Sequence, residues 1–195
     1  MDDQRKRYIL LDRDGVISRR HSNGHAGSWE ISEFLPRALE ALRLLAANDY
    51  TGIVISRETC ASAGTQEAGE LGALTRRFLL EVAISEGHIA QVYYCRHRQE
   101  DGCDCYRPNA GLIARARADH GFLKEATYFI SERMDKLESA AASGCPCIRI
   151  QRDAFLQAAA PSEGPYRVAS NLYEAAEQIL GLETARGREC AAIPS

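Results

Sequence analysis

Short apolar runs alternate along the chain with longer stretches in which apolar residues recur every three or four positions. The runs over 8–12, 52–56, 91–95, 127–131 and 147–150 read as strands, several rich in β-branched residues, as strands buried on both faces tend to be. Between them, Leu35, Ala38, Leu39, Leu42 and Leu45 predict a helix with Pro36 in its first turn. Leu71, Leu74, Phe78 and Val82 predict a second. Leu112, Ala116 and His120, after Pro108, predict a third, and Leu137, Ala140 and Ala141 a fourth that stops near Gly144. A surface loop over 158–164 precedes a last helix over 172–180. This rhythm predicts a three-layer, doubly wound α/β fold, with helices on both faces of a parallel sheet. In such folds ligands bind along the edge formed by the strand C-termini, so the chemistry is sought there.

With 195 residues, 45% of them hydrophobic and 26% charged, the chain has the makeup of one globular domain. That domain is expected over 1–182, with a flexible tail over 183–195. A net charge of −3 argues against a broad nucleic-acid surface. No apolar run approaches the ~20 residues that cross a bilayer, so no membrane partner is expected. The opening Met-Asp-Asp-Gln-Arg-Lys-Arg leads into a strand without the apolar stretch of a signal peptide, which predicts a cytoplasmic location. Seven cysteines in such a chain are expected as reduced thiols or metal ligands rather than disulfides.

The first candidate chemistry lies where the first strand ends. Leu10-Leu11-Asp12-Arg13-Asp14-Gly15 sets two carboxylates on one side of an extended chain, and the glycine permits an immediate turn. Two acids so close resist joint ionisation unless a cation lies between them or one keeps its proton. Mg²⁺, which takes oxygen ligands from one or two carboxylates plus phosphate, suits them. One aspartate could then attack phosphorus while the other protonates the leaving oxygen. The plainer alternative is a pair of turn-forming aspartates.

The second candidate is Cys95-Arg96-His97 followed by Cys103-Asp104-Cys105. Three thiolates and one imidazole make a tetrahedral Zn²⁺ set, closed and therefore structural. Unrelated thiols, or a redox pair at Cys103 and Cys105, are the alternatives, although the usual redox motif has two intervening residues.

The acidic segment resembles the first motif of the haloacid dehalogenase-like phosphohydrolases. The resemblance makes Asp12 the nucleophile and Asp14 the acid/base. It extends to Ser56 after Ile53-Val54-Ile55, the second-motif hydroxyl that holds a phosphate oxygen; on its own, a serine at a strand end is a turn residue. The cysteine–histidine loop, residues 95–105, resembles that of the D-glycero-D-manno-heptose 1,7-bisphosphate 7-phosphatases and the related histidinol-phosphatase domains. The resemblance implies a minimal cap, with the loop and residues 18–29 shaping an open pocket. It also implies a phosphorylated small-molecule substrate, the heptose bisphosphate first and histidinol phosphate second, and leaves the oligomeric state open.

Three motifs depart from the pattern of that subfamily. The third-motif lysine is replaced by Arg107, which keeps the charge in a larger planar fork. After Ser56 the chain has Arg57-Glu58 where Asn-Gln is usual, and Arg57 is a candidate for contact with the substrate phosphate. In the fourth motif Gly-Asp becomes Ser131-Glu132, and the second aspartate becomes Lys136. Glu132 can still offer Mg²⁺ an oxygen. Lys136 is expected to repel the metal or to pair with Glu132. Asp135, one place early, and Glu138, two places late, could substitute for that second aspartate only in a reshaped loop, and otherwise read as a solvated helix face.

Overall fold

The computed structural model describes residues 6–19, 34–57, 65–97, 101–105, 110–152 and 166–191, apart from the side chains of 57, 65–68, 70 and 182–191. Arg107, the loop over 158–164 and most of residues 18–29 lie outside the described residues.

Six parallel strands form one sheet in the order β3-β2-β1-β4-β5-β6. They are β1 (Arg7–Asp12), β2 (Tyr50–Arg57), β3 (Ile89–Cys95), β4 (Tyr128–Ser131), β5 (Cys147–Ile150) and β6 (Arg167–Ala169). The helices are α1 (Ala38–Ala46), α2 (Thr65–Ile84), α3 (Gly111–His120), α4 (Met134–Ala142) and α5 (Leu172–Ala191). The chain winds outward from β1 through β2 to β3, then returns to the other side of β1 and winds out through β4, β5 and β6. The strand order reverses between β1 and β4, which opens the crevice where ligands of doubly wound folds lie.

Alternation along β1 sorts its side chains between two apolar layers. Ile9 and Leu11 pack with α1, α2 and α5 through residues such as Leu42, Phe78, Val82 and Ile179. Tyr8 and Leu10 pack with α3 and α4 through Ile113, Ala116, Leu137 and Ala140. This three-layer arrangement is the predicted one. Asp12 shares the parity of Tyr8 and Leu10, and Ser131 that of Phe129, another residue of the second layer. Both are therefore turned toward the face that α4 covers.

The five expected strands are present, with ends shifted by up to two residues. The sixth, β6, has only three residues and carries no periodicity of its own; pairing with β5 creates it. The first helix starts at Ala38 rather than around Pro36, because Arg37 takes a left-handed φ of 62° as its N-cap. The last helix runs past Gly181 to Ala191, where a flexible tail is expected from sequence. Among the described residues no helix is long and apolar enough to cross a membrane.

Candidate active site and metal cluster

Asp12 ends β1 at the crevice and is only 1% exposed. Ser131, the last residue of β4, donates from Oγ to Asp12 Oδ2 at 2.9 Å, and Lys136 of α4 donates from Nζ to Oδ1 at 2.6 Å. Burial is the largest influence on the Asp12 carboxyl and raises its pKa. Lys136, by charge and hydrogen bond, and Ser131 oppose that rise without reversing it, and the nearby Asp14 charge adds to it. The expectation that Lys136 repels a metal or pairs with Glu132 is corrected on its second half: the lysine pairs with Asp12, since its helix covers the face toward which Asp12 points.

Asp14 is half-buried and accepts a hydrogen bond from Arg13 Nε at 2.8 Å. The turn after it closes through Gly15 N donating to the Ser18 carbonyl at 2.7 Å. Gly15 has φ +83°, and a Cβ there would collide with the Glu132 carboxyl. Glu132 therefore reaches from the end of β4 across the turn that carries Asp14, a close approach only glycine permits. Arg152, after β5, donates to Glu132 Oε2 at 3.2 Å and also to the Gly15 carbonyl. Ser56 is buried at the same sheet edge, one residue beyond the Asp12–Ile55 register pair.

The structure thus brings Asp12, Asp14, Ser56 and Glu132 to one edge. The Arg57 side chain and Arg107 lie outside the described residues. Sequence reasoning missed three groups at this edge, Ser131, Arg13 and Arg152. Ser131 stands where the family motif has glycine, and that substitution was the available signal; nothing local marks Arg152. Asp135 receives both Arg133 Nε at 3.2 Å and Nη2 at 3.1 Å, and Glu138 is exposed, so neither turns to the acids.

Oxygen donors suited to a hard divalent ion are present in Asp12, Asp14 and Glu132. Each also engages a cation of the chain, and the three pairs differ in kind. Lys136 and Asp12 are 18% and 1% exposed, whereas Arg152 and Glu132 are 44% and 23% exposed. The second pair is screened by water and is easily exchanged for another cation; the first is not.

At the end of β3 the ligand atoms of Cys95, His97, Cys103 and Cys105 all lie within 4.8 Å of one another. Cys105 Sγ lies 3.2 Å from both Cys95 and Cys103 Sγ and 3.0 Å from His97 Nδ1. Four donors around a zinc-sized ion at ~2.3 Å would stand roughly 3.8 Å apart, so the quartet is close to that geometry and could hold a metal. Burial, reinforced by the hydrogen bonds and charge of the other two thiols, pushes the Cys105 thiol up to about 12, since thiolates so close need a cation between them. The loop is fastened to α3 at Gly111, whose N–H donates to the Asp104 carbonyl at 3.0 Å, and a Cβ there would lie 2.6 Å from that oxygen.

Comparison with known proteins agrees with this picture. No family model matches the chain. It is 27% identical over 143 residues to the D-glycero-beta-D-manno-heptose-1,7-bisphosphate 7-phosphatase of Pseudomonas aeruginosa, covering 73% of this chain and 80% of that one. It is 26% identical over 178 residues to the enzyme of the same name from Bordetella bronchiseptica, covering 89% and 98%. The solved structure of the D,D-heptose 1,7-bisphosphate phosphatase from B. bronchiseptica, complexed with magnesium and phosphate, superposes with a TM-score of 0.73, covers 90% of this chain and 99% of that one, and is 24% identical. In fold and in sequence the chain is similar to haloacid dehalogenase-like phosphohydrolases. Within them it resembles the heptose bisphosphatase subfamily.

Proposed function

We propose that the chain hydrolyses a phosphomonoester of a small sugar-like metabolite, with the 7-phosphate of D-glycero-D-manno-heptose 1,7-bisphosphate as the leading candidate and histidinol phosphate as the second. The observation that carries this reading is the meeting of Asp12, Asp14 and Ser56 at the crevice where the strand order reverses. In this reading Asp12 Oδ attacks phosphorus and the bond to the sugar oxygen breaks. Asp14 gives its proton to that oxygen, so the sugar leaves as a neutral alcohol and an aspartyl phosphate remains. Asp14 then takes a proton from water, whose oxygen attacks phosphorus, releasing phosphate and restoring Asp12. Ser56 holds a phosphoryl oxygen, Arg107 a second, and Arg57 is a candidate for contact with the substrate phosphate. Such transfer depends chiefly on positioning and charge neutralisation.

Mg²⁺ would be held by Asp12, Asp14 and Glu132, and bound there would supply positive charge to the phosphoryl oxygens. The position of Glu132 across Gly15 supports this placement. Zn²⁺ would be held by Cys95, His97, Cys103 and Cys105 as a structural ion that stiffens a short polar loop. A cytoplasmic protein is the matching setting for reduced thiols so arranged.

Phosphate release from the heptose bisphosphate and a sugar-phosphate panel, comparing wild type with Asp12→Asn and Asp14→Asn, tests the reading. Release that depends on Asp12 is expected. Absence of Asp12-dependent release across the whole panel would overturn it and favour a second reading, a degenerate relative that binds phosphorylated ligands or a partner protein without turnover. The specific observation behind that second reading is the Lys136 ammonium already seated on the would-be nucleophile.

A further inference from the structure

We infer that Lys136 is a tethered cation of the phosphate site, one that lets an oxyanion approach Asp12 without a divalent ion and competes with that ion for the Asp12 carboxylate. The inference deepens the phosphate-site reading above and rests on it. Its basis is geometric. Lys136 Nζ lies 2.6 Å from Asp12 Oδ1, and both groups are largely withdrawn from water. A phosphoryl group arriving at Asp12 brings negative charge against a buried carboxylate, and like charges in such a setting repel strongly. Something positive must stand there. A divalent ion is one solution, but to reach Oδ1 it must displace or crowd an ammonium whose chain is anchored to α4, between the buried Leu137 and the Asp135 carboxylate that accepts the Lys136 N–H at 3.0 Å.

The face on which Lys136 sits makes this placement durable. Asp12 and Ser131 both turn toward the layer that α4 covers, so Lys136 reaches the carboxylate from the start of that helix, with Ser131 occupying the other oxygen. Among the described residues, Asp14 pairs with Arg13, and Glu132 with the more exposed Arg152. Among the described residues, Lys136 is the cation paired with Asp12 itself. An ammonium has three donors, so one can remain on Oδ1 while another turns to a phosphoryl oxygen.

The test measures binding rather than turnover, on the full chain. Mg²⁺ is titrated calorimetrically into wild type, Lys136→Met and Lys136→Arg, and inorganic phosphate is titrated into the same proteins in the presence of EDTA. Lys136→Met is expected to bind Mg²⁺ ~10-fold or more tightly than wild type and phosphate without metal ~10-fold or more weakly. Lys136→Arg, which keeps the charge, is expected to stay near wild type on both counts. Lys136→Asp provides a further acid and should bind Mg²⁺ more tightly still. Mg²⁺ binding unchanged or weakened in Lys136→Met, or metal-free phosphate binding unchanged in it, would each overturn the inference. Should Lys136→Met fail to fold, Lys136→Asp and Lys136→Arg decide: Mg²⁺ binding no tighter in the former, or loss of metal-free phosphate binding in the latter, overturns it. Because no readout uses hydrolysis, a protein that binds phosphate through Lys136 yet releases none would refute the phosphatase reading and leave the inference standing, and the reverse result would do the opposite.

Discussion

The thiol–imidazole loop and the acidic crevice both gather groups that repel one another when charged, and they resolve that repulsion in opposite ways. The loop brings its four ligand atoms within 4.8 Å of each other, an arrangement suited to an ion supplied from outside. The crevice carries its own counter-charges, with Lys136 on Asp12, Arg13 on Asp14 and Arg152 on Glu132. A site that must admit and release a phosphorylated ligand needs its carboxylates to be tolerable when nothing is bound, because an uncompensated buried charge costs several kcal/mol.

The contrast can be broken most decisively at the crevice. Asp12→Asn should lower phosphate release about a thousandfold or more while the chain still holds one zinc per molecule by metal analysis. Loss of zinc in that variant would mean that the two regions are one cooperative unit.

Next in size is chelation of the zinc proposed for the loop. A strong zinc chelator, or Cys105→Ser, should lower Tm by roughly 10 °C or more, whereas removing Mg²⁺ should leave Tm nearly unchanged. Equal sensitivity to both metals would erase the distinction.

A matched pair of glycines then asks how rigidly each region is built. Gly15→Ala sets a Cβ against the Glu132 carboxyl at a positive φ, and Gly111→Ala sets one 2.6 Å from the Asp104 carbonyl. Each should cost about 2 kcal/mol, roughly 4–8 °C in Tm. Only Gly15→Ala should also depress phosphate release, and only Gly111→Ala should ease zinc loss to a chelator.

The smallest effect serves as a reference remote from both regions. Glu174 accepts the Ser170 N–H at 2.8 Å as well as its hydroxyl, at the start of α5, and these bonds hold its carboxyl below the ordinary value of 4.5. The folded state therefore holds that proton less tightly than the unfolded one. The stabilisation is full above about pH 4.5 and is lost as pH falls through the lower folded value. Glu174→Gln should cost about 1 kcal/mol, or 2–4 °C, at neutral pH, and the gap from wild type should close on acidification. A gap that widened in acid would mean that the carboxyl is favoured in its protonated form.

The two regions also differ in how far they were legible beforehand. Cys95, His97, Cys103 and Cys105 lie within one short loop, so their meeting needs little more than a turn, and sequence spacing was enough to nominate them. Asp12 and Asp14 were legible for the same local reason, as was the strand–helix rhythm that sets the sheet and its active edge. Ser56 and Glu132 became legible only through the family resemblance, because each is an ordinary residue at a strand end until three strands are laid side by side.

What the sequence determined by itself was periodic or local: which segments bury which face, where β1 stops, and four metal-type ligands in one loop. The partner of Asp12 was beyond its reach. Lys136 lies 124 positions away, and whether it meets Glu132, Asp12 or water depends on which sheet face α4 covers and on the parity with which β1 ends. Periodicity specifies a helix's buried stripe but not which strand end that helix overhangs. That is settled only when β4 inserts beside β1, carrying Ser131 and α4 to the carboxylate.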